Sequence, residues 1–221
     1  MQRIPEPELM DDPAHALAYA NADFEEPHAR FIELFRDTFP KETIAGNVLD
    51  LGCGPGDISI RFARAYPQCV VYGVDGAEAM LARGRLRLIQ EGLGERVRLI
   101  RGYLPGAPLP PAAYDALISN SLLHHMREPM GLWDAVKHSA KPGVPVFVMD
   151  LLRPSSRKQA QAMVDKYAAN EPPILRHDFF DSLLAAYSPA EVKAQLATAG
   201  LNSLKVEEVS DRHLLAYGSL P

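Results

Sequence analysis

The chain has 221 residues, 47% hydrophobic and 23% charged, enough for one domain with a substantial core. Its formal net charge of -5, from 23 basic and 28 acidic residues, argues against the basic face that nucleic-acid binding demands. No apolar run approaches the roughly 20 residues that cross a bilayer, and the start "MQRIPEPELMDDP" lacks the apolar stretch of a signal peptide. A soluble, cytoplasmic protein is expected. Cys53 and Cys69 are too few for a disulfide framework, and no metal site is read from the sequence.

Residues 1–43 read as an N-terminal helical cap. "PAHALAYANAD" is one helical stretch; "EEPHARFIELFRDTF" is the second, with Pro27 suited to a first turn and Phe31, Leu34 and Phe35 at helical spacing. Residues 44–221 then alternate short β-like runs with helical ones. "NVLDLG" leads into a glycine turn and "DISIRFARAY", "CVVYGVD" into "AEAMLARGRLRLIQ", and "RVRLIRG" into the loop "LPGAPLPPA". "YDALISN" precedes "EPMGLWDAVKHSA", and "VPVFVMDLL" follows the turn "KPG". Such alternation predicts an α/β fold, a parallel sheet with helices on both faces. The basic run 83–101 contains Glu91 and Glu95 and reads as a solvated helix face rather than a nucleic-acid contact.

Residues 153–187 break the alternation and read as an insertion above the strand ends, with helices in "SSRKQAQAMVDKYAAN" and "RHDFFDSLLAAY" around a Pro172-Pro173 break. In "SPAEVKAQLATAG", Ser188 and Glu191 form a capping box and Gly200 a stop. "LKVEEVS" and "RHLLAYG" predict a terminal hairpin turning near Asp211.

The turn "VLDLGCGPGD" (48–57) carries the functional signal. Gly52, Gly54 and Gly56 follow the first strand, where open α/β sheets bind ligands. A dinucleotide fingerprint would read G-x-G-x-x-G; here Asp57 takes the place of its last glycine and Asp50 precedes the loop. Two carboxylates would repel a pyrophosphate, which disfavours an NAD-dependent oxidoreductase. A ligand with an amine and a sulfonium suits them, since Asp50 then accepts a charge-assisted hydrogen bond; S-adenosylmethionine is such a ligand. Asp75, ending the second strand, is placed to take the ribose hydroxyls.

"VLDLGCGPGD", "VYGVDGAEAML", "YDALISNSLLHHM" and "KPGVPVFVMDLL", in this order, resemble the class I S-adenosylmethionine-dependent methyltransferases over about residues 46–151, and the terminal hairpin extends the match. The resemblance implies a Rossmann-like seven-stranded sheet, mostly parallel with an antiparallel last strand, with S-adenosylhomocysteine as product. Carried over by position, Asp50 and the loop Gly52, Cys53, Gly54, Gly56 hold the methionine end and Asp75 the ribose, while Asn120, followed by Ser121, lies where the family's backbone carbonyl meets the ligand amine. Gly76 and Met80 neighbour the base. Where the family often has an acidic residue on the adenine amine, this chain has Tyr103 and Leu104, so either Tyr103 stacks on the base or neighbouring backbone contacts it. Tyr19 and Phe24 either close over the cofactor or pack within the cap. Asp57 is read as a helix N-cap and Cys53 as a small buried residue rather than a nucleophile.

Methyl transfer is an in-line displacement at an activated carbon, so the protein mainly aligns the acceptor and, for a hydroxyl or carbon acceptor, removes a proton. His124 and His125, after the fourth strand, are candidate bases, against a reading in which one anchors the next helix. His177, beside Asp178, is a third candidate, against a simple helix start. Asp150 and Arg153 end the fifth strand facing the crevice, and Arg153, Lys166 or Arg176 would meet an anionic acceptor. The leading expectation is methylation of a small-molecule acceptor. An RNA or protein methyltransferase of the same fold and a non-catalytic S-adenosylmethionine-binding protein are the alternatives.

Overall fold

The computed structural model describes residues 1–6 and 11–220. Helices α1 (Pro13–Asn21) and α2 (Glu25–Thr38) precede the first strand. Then β1 (Gly46–Leu51), α3 (Asp57–Ala65), β2 (Cys69–Asp75), α4 (Glu78–Glu91) and β3 (Val97–Arg101) alternate. After a helix-free connection come β4 (Ala116–Asn120), a 3-10 turn at Leu123–His125, α5 (Met130–Ser139) and β5 (Pro145–Leu151). Helices α6 (Arg157–Tyr167), α7 (Pro173–Ala185) and α8 (Pro189–Ala199) lead to the hairpin of β6 (Lys205–Glu208) and β7 (His213–Ser219).

The sheet order is β3-β2-β1-β4-β5-β7-β6. Strands β1 to β5 pair in parallel, and β7 runs antiparallel between β5 and β6. This is the seven-stranded sheet expected from the sequence. Successive crossovers run outward in opposite directions from β1 and β4, so a crevice opens at the carboxyl ends of these two strands.

Side-chain alternation divides the core. Leu49 and Leu51 of β1 join Trp133 and Val136 of α5 and Val192 and Leu196 of α8 on one face. Val48 joins Phe31 and Phe35 of α2 and Ile58 and Phe62 of α3 on the other. There the rings of Phe31 and Phe35 meet Phe147 of β5 edge-on, with centroids 5.0 and 5.3 Å apart, a favoured aromatic geometry. Helix α2 is thereby seated directly on the sheet. Among the described residues, no helix is long and apolar enough to cross a membrane.

Local signals explain the boundaries. Ser188 Oγ accepts from the Glu191 N–H while the Glu191 carboxylate accepts from the Ser188 N–H, and Gly200 ends α8 in the left-handed region. Helix α7 begins at Pro173, earlier than the sequence pattern placed it, because a proline in the first turn lacks only an N–H that would have no intrahelical partner. Asp57 does not cap α3. Gly56 takes that position with φ +80°, and Asp57 is the first helical residue.

Helix α4 lies against the glycine turn through Gly84, where an added Cβ would stand 2.5 Å from Leu99 Cδ1 and 2.7 Å from the Pro55 carbonyl oxygen. Gly84→Ala raises intrinsic helix propensity, yet overpacking should win and lower the unfolding free energy by about 1–3 kcal/mol. Urea unfolding checks this; an equal or higher midpoint would show that α4 does not press on the turn.

Candidate cofactor and acceptor site

At the carboxyl ends of β1 and β4 lies a cleft of about 930 Å³. Its floor is the turn after β1. Gly52 has φ +72°, and a Cβ there would come 2.7 Å from Leu122, so this bend requires glycine. Gly54 has φ +52°, and a Cβ there would meet nothing within 4 Å, which leaves the turn's backbone open to an approaching ligand. Asp75, at the end of β2, fixes the turn by accepting from the Gly54 N–H at 2.8 Å and from the Ala77 N–H at 2.8 Å.

Two carboxyls stand at the strand ends that line the cleft. Asp50 is 1% exposed and accepts from Ser59 Oγ at 2.5 Å; burial pushes its pKa up to about 7. Burial also raises Asp75, against the hydrogen bonds from the Ala77 and Gly54 N–H groups. Across from them, Asn120 Oδ1 is buried and accepts no hydrogen bond. The next residue, Ser121, is held at φ +56° while its N–H donates to the Met149 carbonyl, a strained turn of the kind that recurs at binding sites. A buried acid, a half-buried acid and an amide oxygen without a hydrogen-bond partner, all lining one cleft, fit a ligand that presents an ammonium and hydroxyl groups.

Most residues singled out in the sequence line this cleft: Asp50, Gly52, Cys53 and Gly54 from the turn, then Asp75, Gly76 and Met80. Tyr103 and Leu104 line it from beyond β3, Asn120 from the end of β4, Ser121 and His125 from beyond it, and Tyr19 from α1. Gly56 lies behind the turn instead. Tyr103 is 52% exposed at the mouth, its hydroxyl 3.3 Å from Arg101. Burial pushes Cys53 well above the ordinary thiol range, consistent with an inert packing residue against Gly73. Tyr19 and Phe24 pack together, 4.7 Å between centroids, while both line the cleft.

The predicted catalytic candidates separate. His125 lines the cleft. His124 is 2% exposed behind it, with Nδ1 bonded to Asp150 at 2.6 Å. Burial disfavours its charged form, but the facing Asp150 carboxylate wins and raises its pKa; the same pairing, against burial, lowers that of Asp150. His177 stays outside, its side chain 74% exposed beside Asp181. Arg153 pairs with Glu191, Lys166 with Asp211 and Arg176 with Asp165, and none of the three lines the cleft, so the proposed anion-binding trio is not brought to it. Asp150 likewise turns to His124 and to the Leu123 N–H rather than the crevice.

Two features were not anticipated from the sequence. Glu6, in a proline-flanked N-terminal stretch with no periodicity to mark it, reaches His124 and His125. Asp57 gathers His28 of α2 at 2.6 Å, Arg61 of α3 at 2.6 Å and Arg87 of α4, joining three helices along one wall of the cleft. Burial opposes this charge, but the bonds from His28 and Arg61 hold the carboxyl well below the usual range. A depressed pKa stabilises the fold above the unfolded carboxyl pKa of about 4, and that stabilisation is lost as pH falls. Asp57→Asn should therefore destabilise by about 2–3 kcal/mol at pH 7 and by progressively less below about pH 4. Urea titrations at both pH values measure it; a pH-independent difference would mean that charge is not the cause.

Residues 48–143 match the family model of a methyltransferase domain. Among curated proteins, the chain is 30% identical over 165 residues to a ubiquinone biosynthesis O-methyltransferase of Xylella fastidiosa, a match covering 74% of this chain but only 62% of that protein. Among solved structures, an S-adenosylmethionine-dependent methyltransferase from Aquifex aeolicus superposes with a TM-score of 0.70 at 20% identity, covering 95% of this chain and 99% of that one. The geranyl diphosphate C-methyltransferase of Streptomyces coelicolor, in complex with Mg2+, geranyl diphosphate and S-adenosyl-L-homocysteine, gives 0.66 at 14% identity over 98% and 86%. Residues 48–143 thus match a methyltransferase domain, laid on the seven-stranded fold that these solved methyltransferases share.

Proposed function

We propose that the protein transfers the methyl group of S-adenosylmethionine to a small-molecule acceptor bound in the same cleft. The observation that supports this reading is one continuous cleft: Asp50, Asp75 and Asn120 line the same cavity as Leu122, His125, Met126 and Glu128, and Tyr19 and Phe24 line it as well. A cavity walled by helices on the sheet suits a compact acceptor better than the open basic groove that a nucleic acid needs. When bound, S-adenosylmethionine supplies a methyl group already activated by the sulfonium.

Within this reading, Asp50 and the Asn120 side chain receive the ammonium, and Asp75 adds the ribose hydroxyls to the two N–H groups it already accepts. Tyr19 and Phe24 exclude water. His125 is the imidazole that meets the acceptor and holds a proton if the acceptor must lose one. His124, pinned to Asp150, positions the backbone on which His125 stands.

Calorimetric titration with S-adenosylmethionine and S-adenosylhomocysteine should show both binding, with Asp75→Ala weakening them about 10- to 100-fold through loss of charge-assisted bonds. Binding of NAD alone, or of nothing, would overturn the cofactor assignment. Binding to tRNA with steep salt dependence would move the acceptor from metabolite to RNA.

Asp50 gives a pH signature. Burial raises its pKa to about 7, and an ammonium beside it favours the ionised form, so cofactor binding below that pH releases a proton. Affinity should rise from pH 5.5 to about 7 and then level, with a slope much reduced in Asp50→Asn. Titrations in buffers of different ionisation enthalpy count the proton; uptake instead of release would refute the role given to Asp50.

A further inference from the structure

Residues 1–6, without regular secondary structure, form a strap bonded to the carboxyl-terminal half of α7 and to the 3-10 turn. The Ile4 N–H donates to the Leu184 carbonyl at 2.9 Å. The Arg3 guanidinium lies 4.0 Å from the Tyr187 ring centroid and donates to the carbonyls of Ala185, His124 and Met126. This anchoring carries Glu6 inward until its side chain is 9% exposed. Its Oε2 accepts from Ser182 Oγ at 3.1 Å, whereas its Oε1 is buried and accepts no hydrogen bond. That oxygen faces His125 Nδ1 at 3.1 Å and His124 Nε2 at 3.5 Å. A buried carboxylate oxygen that accepts no hydrogen bond and faces only two imidazole nitrogens is costly to hold, and anchoring at four backbone carbonyls places it there.

The surroundings point to a cation. One nitrogen from each histidine and one oxygen of Glu6 lie within 4.8 Å of one another. Asp150, 2% exposed, bonds His124 Nδ1 and so directs the other ring nitrogen toward Glu6, which is the outer-shell carboxylate that accompanies metal-ligating histidines. Glu6, Asp150 and the nearby Asp181 supply negative charge, opposed by Arg3, whose donors are directed to backbone carbonyls.

We propose that Glu6, His124 and His125 form a site for a divalent transition metal of the zinc class, completed by the N-terminal strap. Two imidazoles and one carboxylate match the nitrogen and oxygen preferences of Zn2+, and they offer too few oxygens for Ca2+ or Mg2+. Three protein ligands leave a coordination position for water or another ligand. His125 is the ligand that also lines the cleft, which sets the site at the acceptor side. A bound metal would occupy the His125 lone pair and so exclude the proton-holding role given to that ring, and because the test reads metal binding alone, its failure is distinguishable from failure of the methyl-transfer reading.

The full chain is stripped with a chelator, dialysed and titrated with Zn2+ by calorimetry and with Co2+ by visible absorption. One metal per chain is expected, with a tetrahedral-type Co2+ band and a higher melting temperature in Zn2+. Glu6→Gln keeps the size of the side chain and the Ser182 contact, and should weaken binding at least about tenfold, as should His125→Gln. Circular dichroism confirms that both variants fold. Absence of saturable Zn2+ binding, or binding equal in the parent and in folded Glu6→Gln, overturns the site and leaves the three groups as a metal-free hydrogen-bonding cluster.

Discussion

The bond from the Gly54 N–H to the Asp75 carboxylate is the contact on which the site depends. It spans β1 and β2 at their carboxyl ends and holds a turn whose φ values at Gly52, Gly54 and Gly56 are all positive. Side chains there would meet strain from backbone conformation before any contact was considered, and Gly52 would add a collision with Leu122. Because α3 starts from this turn and α4 presses on it through Gly84, the sheet, both helices and the cleft floor share one geometry.

Three acids end parallel strands, and their environments assign them different work. Asp50 and Asp75 line the cleft and are raised by burial, without a cationic side chain bonded to either. They are groups whose ionised form an incoming cation would favour. Asp150 is equally buried but faces His124 and is lowered, so its charge is already matched and serves to orient the ring. The same residue type at equivalent strand ends thus faces the cleft in one place and braces a histidine in another.

Surrounding this floor, electrostatic and aromatic contacts fasten elements distant in sequence. Asp57 draws α2, α3 and α4 together, and Arg212 lies over the Tyr167 ring at 3.5 Å, tying the terminal hairpin to α6. Partly buried networks of this kind are worth more than isolated surface pairs, because a missing partner leaves a charge without compensation away from water. The N-terminal strap is fastened the same way, through Arg3 on carbonyls and an aromatic face.

Local chemistry alone made much of the molecule legible. Strand alternation, the G-x-G-x-G turn with Asp50 before it, Asp75 at the next strand end and the Ser188–Glu191 capping box are short-range signals, and each element formed where its pattern stood. Contacts between remote segments were another matter. No spacing rule links Glu6 to His124, or Asp57 to His28 and Arg87, and nothing local distinguishes His125, in the cleft, from His124, turned behind it. Arg153, Lys166 and Arg176 looked available in the sequence and are ion-paired in the fold. By itself the sequence determined the architecture and the glycine turn after the first strand, because periodicity and backbone permissiveness act over a few residues. Which charges stay available, which are satisfied and where the first residues return was decided only by tertiary structure, since burial and pairing depend on the whole packed chain.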